Sequence, residues 1–254
     1  MKACIRIRNL VIGEGPPKII VPVAAKAEEE LLLQAAALTG EPVDAVEWRA
    51  DQFGEVFYEQ AMLHALQALR EALGDLPLLF TIRTTTEGGT FDGPKEDYLR
   101  LNLAAAASGL TDLIDVEFGT GDATVTQHIR DILAYGTRVV ASSHDFCRTP
   151  PKEELIARLC AMQQSGADIV KIAVMPNTER DVLTLLCASE EFNRLYADRP
   201  LITISMGALG AVSRVCGSLS GTDMTFGAAG VVSAPGQIQA KMLQTILWSL
   251  HTDS

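Results

Sequence analysis

The sequence predicts a (β/α)₈ barrel, and three observations carry the prediction. Eight short apolar or β-branched runs recur along the chain, and a helical pattern separates each from the next. Their starts lie from 22 residues (Leu201 to Asp223) to 35 residues (Leu78 to Leu113) apart, the length of a strand-loop-helix-loop unit. Eight such units in about 235 residues fit a closed barrel, for which ~250 residues is typical. A doubly wound open sheet is the alternative, but eight evenly spaced units favour closure.

In chain order, residues 1–15 come first. Cys4–Gly15 reads CIRIRNLVIGEG, a two-stranded hairpin expected to close the bottom of the barrel. The eight strands are expected at Lys18–Val23, Ala45–Arg49, Leu78–Thr84, Leu113–Phe118, Arg138–His144, Asp168–Val174, Leu201–Met206 and Asp223–Gly227. In Glu153–Gln164, Leu155, Ile156, Leu159 and Met162 give one helical face, and Gly166 stops the turn. Thr149 is expected to cap this helix, with Pro150 at its first position. Val182, Leu185, Leu186, Phe192, Leu195 and Tyr196 mark a long amphipathic helix. Ile238, Met242, Ile246 and Leu247 mark the last, and only a short helix fits within Ala208–Leu219. With no repeat, linker or low-complexity stretch, residues 1–254 read as a single domain.

Composition narrows the function. The 254 residues are 48% hydrophobic and 21% charged, which excludes disordered, collagenous and disulfide-scaffold classes. A net charge of −11 argues against nucleic acid or a membrane surface as partner. Five widely spaced cysteines without a CxxC indicate free thiols. The N-terminal alternation of apolar and basic residues is not a secretory signal, and no apolar stretch approaches the ~18–20 residues needed to span a bilayer. A soluble, cytoplasmic protein is the expectation.

Strands buried on both faces should be continuously apolar, so the polar exceptions are informative. They are Glu47 and Arg49 on the second strand, Arg83 ending the third with Glu87 beyond it, Asp115 and Glu117 on the fourth, Ser142, Ser143, His144 and Asp145 on the fifth, and Lys171 on the sixth. Most lie toward C-terminal strand ends, where barrel active sites are built. A lysine in a run as apolar as DIVKIAV loses hydration, which favours a neutral, nucleophilic amine suited to imine formation with a ketone or aldehyde. The plainer role is charge balance with Asp115 or Glu117. His144 reads as a general acid/base whose tautomer Glu87 could fix, against a histidine merely bonded to a backbone carbonyl.

Arg49, Arg83 and Arg214 converge on one mouth in a barrel and match a carboxylate or phosphate. Singly, each is better read as a salt bridge. Glycine-rich turns follow the last two strands, Met206–Gly210 and Gly227–Gly230. Either could hold phosphate on backbone amides, although Arg214, Ser233 and Gln237 suit a carboxylate or hydroxyls equally. Pro235-Gly236 pairs a rigid with a flexible residue, as in a closing lid. Four histidines and no HxH pair argue against a metal-dependent barrel. A phosphosugar lyase of the class I aldolase kind and a catalytically inactive binding barrel remain alternatives.

The ordered series EWRAD, FTIRT-x-x-EGG, LIDVE, SSHDF-x-x-TP, DIVKIAVMP, ISMG-x-x-G-x-x-SR, TFGAA and SAPGQ resembles type I 3-dehydroquinate dehydratase over nearly the whole chain. The resemblance implies a (β/α)₈ barrel that dehydrates 3-dehydroquinate to 3-dehydroshikimate in the shikimate route to aromatic amino acids. It implies a homodimer without metal or cofactor. It makes Lys171 the imine-forming lysine, His144 the general acid/base and Glu87 its orienting partner. Arg214, Ser233 and Gln237 would hold the substrate carboxylate, and Glu47, Arg49 and Arg83 the ring hydroxyls. The sequence departs from the family at Ser143, where asparagine is more usual before the histidine, and in Gly227–Gly230, which lacks the basic residues some members carry.

Overall fold

The apolar runs form parallel strands at the expected places. In the computed structural model, which describes residues 2–119, 121–229 and 236–251, strands β1 (Ile5–Ile7) and β2 (Leu10–Ile12) make an antiparallel hairpin. The barrel strands follow as β3 (Lys18–Val23), β4 (Ala45–Arg49), β5 (Leu78–Thr81), β6 (Leu113–Glu117), β7 (Arg138–Asp145), β8 (Ile169–Val174), β9 (Leu201–Ser205) and β10 (Met224–Ala228). A parallel ladder joins β10 to β3 and runs on through β9. At the remaining seam the Asp223 N–H donates to the Leu201 carbonyl at 2.8 Å, and the Asp223 carboxylate accepts the Leu201 N–H at 2.7 Å. The helices around the strands are α1 (Glu28–Ala36), α2 (Glu59–Leu73), α3 (Lys95–Ala107), α4 (Ala123–Leu133), α5 (Lys152–Gln164), α6 (Glu179–Leu195), the single turn α7 (Gly217–Ser220) and α8 (Ala240–Leu250). Among the described residues no helix is long and apolar enough to cross a membrane.

Strand parity divides the interior into layers. Side chains two residues apart face the same way, and the lowest inward layer is Ile20, Ala45, Leu79, Leu113, Val140, Ile169, Ile202 and Met224, one from each barrel strand, all buried. Ile7 and Ile12 of the hairpin join this cluster, so the hairpin stoppers the N-terminal mouth. Arg8 at its turn has φ 52° and is anchored by Nε donating to Asp112 at 2.6 Å. The outward residues of the same strands, among them Val46, Trp48, Phe80, Ile114, Val170 and Ile172, pack against the helices in the larger core. Each such side chain removed from water contributes about 1.5–3 kcal/mol. With both faces of the strands covered, the ionisable side chains inside the barrel are confined to the upper layers.

Four local expectations are corrected. Helix α5 begins at Lys152 with Pro151 as its N-cap, since Pro151 drives Pro150 out of helical geometry; the Thr149 hydroxyl donates instead to the Met175 carbonyl. Strand β5 stops at Thr81, leaving Arg83 beyond the ladder. Ile238 belongs to the two-residue strand β11 (Ile238–Gln239), paired with Gly227 and Ala228, and not to the last helix. Helix α8 buries Ala240, Leu243 and Leu247 while Met242 is exposed, because the strand takes up the first residue of the expected stripe.

Candidate active site

Two residues above the apolar floor the inward layer becomes Pro22, Glu47, Thr81, Asp115, Ser142, Lys171, Ile204 and Phe226, and two further brings Arg49, Arg83, Glu117 and His144. The change from apolar to ionisable side chains inside one barrel is the structural origin of the site. Glu47, Arg49, Arg83, Glu87, His144, Lys171, Arg214 and Gln237 all line one cavity of about 190 Å³ at the C-terminal mouth. Ser233 and the Pro235 half of the expected lid lie outside the described residues.

Lys171 stands at the centre, 3% exposed. Its Nζ is 3.3 Å from Asp115 Oδ2, 3.7 Å from Glu47 Oε1 and 4.6 Å from the centroid of the Phe226 ring. The charge-balancing pair weighed for this lysine therefore exists, with Asp115; Glu117 instead accepts from Arg83 and from the Thr84 N–H and hydroxyl. Glu47 is steadied by the Thr81 hydroxyl at 3.0 Å. Register explains the placement. Lys171 lies opposite Ser142, so His144 stands one layer higher, opposite Ala173, whose small side chain leaves room above the amine.

His144 and Glu87 meet through two contacts to one oxygen. Glu87 Oε2 accepts the His144 backbone N–H at 3.0 Å and lies 2.9 Å from Nδ1. Burial, aided by the cations Arg83, Lys171 and Arg49, holds the imidazole well below its usual range. Burial pushes Glu87 up to about 8, reinforced by Glu117 and Asp115 against the pull of Arg83. The two groups titrate as a unit. Burial disfavours charge on both groups, so each is held toward its neutral form.

Glu87 is presented by a one-turn 3-10 helix, Thr85–Glu87, closed by Gly88 and Gly89. A Cβ on Gly89 would lie 2.0 Å from the Arg83 carbonyl oxygen, so only glycine lets the turn fold back on Arg83. Arg83 itself donates to Asp115 (2.7 Å), Ser142 (3.1 Å), Glu117 (3.2 Å) and Glu87 (3.4 Å). Burial opposes its charge, but Asp115, Glu117 and Glu87 outweigh it and raise its pKa further. For Asp115 too, burial is outweighed by Arg83 and Lys171, and its pKa falls.

Arg214 differs from the other arginines. It follows β9 on the 3-10 turn Ala211–Arg214, 6% exposed. Nη1 donates to the Phe226 carbonyl at 3.1 Å, and Nε is buried with no partner among the described residues. Burial alone lowers its pKa, and among the described residues no carboxylate pairs with it. In a chain of net charge −11, a buried guanidinium that no carboxylate pairs among the described residues leaves a positive charge at the mouth that an anion would compensate. Gly236, φ 78°, packs against Gly207 so closely that a Cβ would be 2.2 Å from its carbonyl, which brings Gln237 to the same mouth. Among the described residues no three His, Cys, Asp or Glu side chains are grouped to hold a metal ion.

Residues 19–254 match the model of the type I 3-dehydroquinase family. The chain belongs to that family. It is 45% identical over 251 residues to the 3-dehydroquinate dehydratase of Clostridioides difficile (strain 630), covering 99% of this chain and 98% of the relative. It is 46% identical over 247 residues to that of Salmonella agona (strain SL483), covering 97% and 98%. The crystal structure of the type I enzyme of Clostridium difficile with covalently modified comenic acid matches with a TM-score of 0.94 and 44% identity, over 98% of each chain. Ser143, where the resemblance leads one to expect asparagine, lies on the outer side of β7. Its hydroxyl faces outward and accepts from Arg158 Nη1 at 2.9 Å.

Three side chains left out of the site expected from the resemblance are built into it, although Asp115 was weighed as a charge partner of Lys171. Asp115 joins Lys171 to Arg83, Ser142 donates to Asp115 at 2.6 Å, and Asp51 grips Arg49. Parity with Glu117 on β6 and with His144 on β7 is the signal available for the first two. For Asp51 it is the two-residue step from Arg49 in EWRAD.

Proposed function

We propose that this chain, a hydro-lyase, dehydrates 3-dehydroquinate to 3-dehydroshikimate in the shikimate route through an imine on Lys171. The observation that carries the reading is one cavity holding a buried lysine, a buried histidine a layer above it on Glu87, and a buried arginine that no carboxylate pairs among the described residues. Arg214, with Gln237 and Ser233, binds the substrate carboxylate, and Glu47, Arg49 and Arg83 meet the ring hydroxyls. The Lys171 amine adds to the ring ketone and water leaves, giving the imine. Its protonated form is an electron sink, so the adjacent C–H becomes acidic enough for His144 to remove a proton. The electron pair then expels the C1 hydroxyl, which departs as water on receiving a proton from His144. Hydrolysis consumes one water and frees Lys171, so the net change is loss of one water. The same reading makes the protein a cytoplasmic homodimer that needs no metal or cofactor.

Two measurements test it. Ultraviolet absorbance should rise as the conjugated enone forms from 3-dehydroquinate, equally with and without chelator. Borohydride added with substrate should fix a ligand mass on Lys171, read by intact mass and peptide mapping. Lys171→Ala and Lys171→Arg should lose both turnover and adduct, since a guanidinium forms no such imine. An adduct on another lysine, or turnover surviving in Lys171→Ala, would overturn the mechanism.

A further inference from the structure

Asp51 begins the mouth of the barrel just beyond β4, on the 3-10 turn Ala50–Gln52. Its side chain is fully buried, with 0% exposed, and a carboxylate in such a place is costly unless it is paired and hydrogen-bonded. Here it is held from two sides. Arg49 donates Nε to Oδ1 at 2.8 Å and Nη2 to Oδ2 at 2.9 Å, a bidentate fork. From the other side Thr90 donates its N–H and hydroxyl to Oδ2, both at 3.1 Å, and its hydroxyl is 2.6 Å from the Asp51 carbonyl. Thr90 is fixed in turn, since it follows the Gly88–Gly89 turn and precedes Phe91, whose N–H donates to the Arg83 carbonyl. Thr90 therefore stops the carboxylate from swinging, and the carboxylate stops the guanidinium.

Arg49 needs such a restraint. It shares the cavity with two other carboxylates, Glu47 and Glu87, and the Glu47 charge already acts on it. An unrestrained guanidinium would close on one of them and be withdrawn from a ligand. We propose that Asp51 is a positioning residue of the reaction: it holds Arg49 off Glu47 and Glu87 and sets where Nη1 meets the substrate. The inference rests on the reading above for the identity of the substrate, and on the fork and the Thr90 clamp for the role of Asp51.

The test is a double-variant cycle in the full chain. Asp51→Asn puts an amide N–H against a guanidinium N–H and breaks one arm of the fork. It should raise KM for 3-dehydroquinate by about tenfold, as expected when one partner of a buried charge pair is altered, with a smaller change in kcat. In an Arg49→Ala background the same substitution should change KM by less than about twofold, because residues acting through one another are not additive. Arg49→Lys keeps the charge and loses the fork, so its KM should rise even if Asp51→Asn fails to fold. A wild-type KM in folded Asp51→Asn, a wild-type KM in Arg49→Lys, or multiplying effects in the double variant would each overturn the proposal. Borohydride trapping on Lys171 in the wild type separates the two readings. Its failure removes the imine mechanism, whereas the cycle speaks to Asp51 alone.

Discussion

At the residue scale, the site divides binding from chemistry. His144 can be removed without removing the amine or the carboxylate pocket, because Glu87 and His144 form a unit attached to β7 and the Thr85–Glu87 turn, while Lys171 is held by Asp115 and Glu47. His144→Ala should therefore cut turnover by the ~10²–10⁴ typical of a general base, while borohydride still traps an adduct on Lys171. Near-normal turnover in this variant would assign the proton transfer to another group. Arg214→Ala should weaken substrate and product alike by about 2–5 kcal/mol, since the ligand carboxylate then enters a buried site without its partner. That appears as a rise in KM, and an unchanged KM would place the carboxylate elsewhere.

At the scale of the element, the short turns after the strands fix the geometry more than the helices do. The Glu87 turn is closed by two glycines, and Gly89 abuts the Arg83 backbone. Gly89→Ala should force the turn open, at about 1–3 kcal/mol for an overpacked site, and lower Tm by a few degrees. Because Arg83 and Glu87 flank this contact, activity should fall further than stability alone accounts for. Circular dichroism beside initial rates checks this, and a variant with full activity would show that the turn tolerates opening. Helix α5 makes the complementary point. The Pro150-Pro151 pair sets its first residue, and the freed Thr149 hydroxyl ties the His144 loop to the residue after β8.

At the scale of the whole molecule, burial of titratable groups outside the site sets the response to acid. His128 on α4 is 3% exposed beside Tyr98, its Nε2 has no partner among the described residues, and burial lowers its pKa to about 4. A histidine depressed in the folded state stabilises above its unfolded pKa of about 6.5, and that contribution is lost as pH falls toward 4. Between pH 7 and pH 4.5 this amounts to about 2–3 kcal/mol at ~1.4 kcal/mol per pH unit. Glu87 acts in the opposite sense, because a carboxyl raised to about 8 adds most stability below its unfolded pKa and loses it as pH rises. The His128 contribution is therefore best read as the difference in urea midpoint between wild type and His128→Gln at the two pH values. Equal pH dependence in both proteins would mean His128 is not the group responsible.

By itself the sequence determined the eight barrel strands, seven to within a residue and the third three residues too long, and with them which polar side chains share an interior wall. Both follow from local physics. Strand runs are apolar because both faces are buried, and the two-residue alternation carries Ala45 to Glu47 to Arg49, or Ile169 to Lys171, up the same interior wall. The ionisable residues of the site were legible as exceptions to that pattern. Tertiary structure alone decided their partners: Lys171 with Asp115 and Glu47, Arg83 with four acceptors, Arg49 with Asp51, and Arg214 with no carboxylate among the described residues. It also decided the buried face of α8 and the two-residue strand β11. These depend on the stagger between neighbouring strands, such as Ser142 opposite Lys171, and on loops that cross the mouth. No local pattern encodes how far one strand slides along the next, because closure of the barrel fixes that stagger for all eight strands at once.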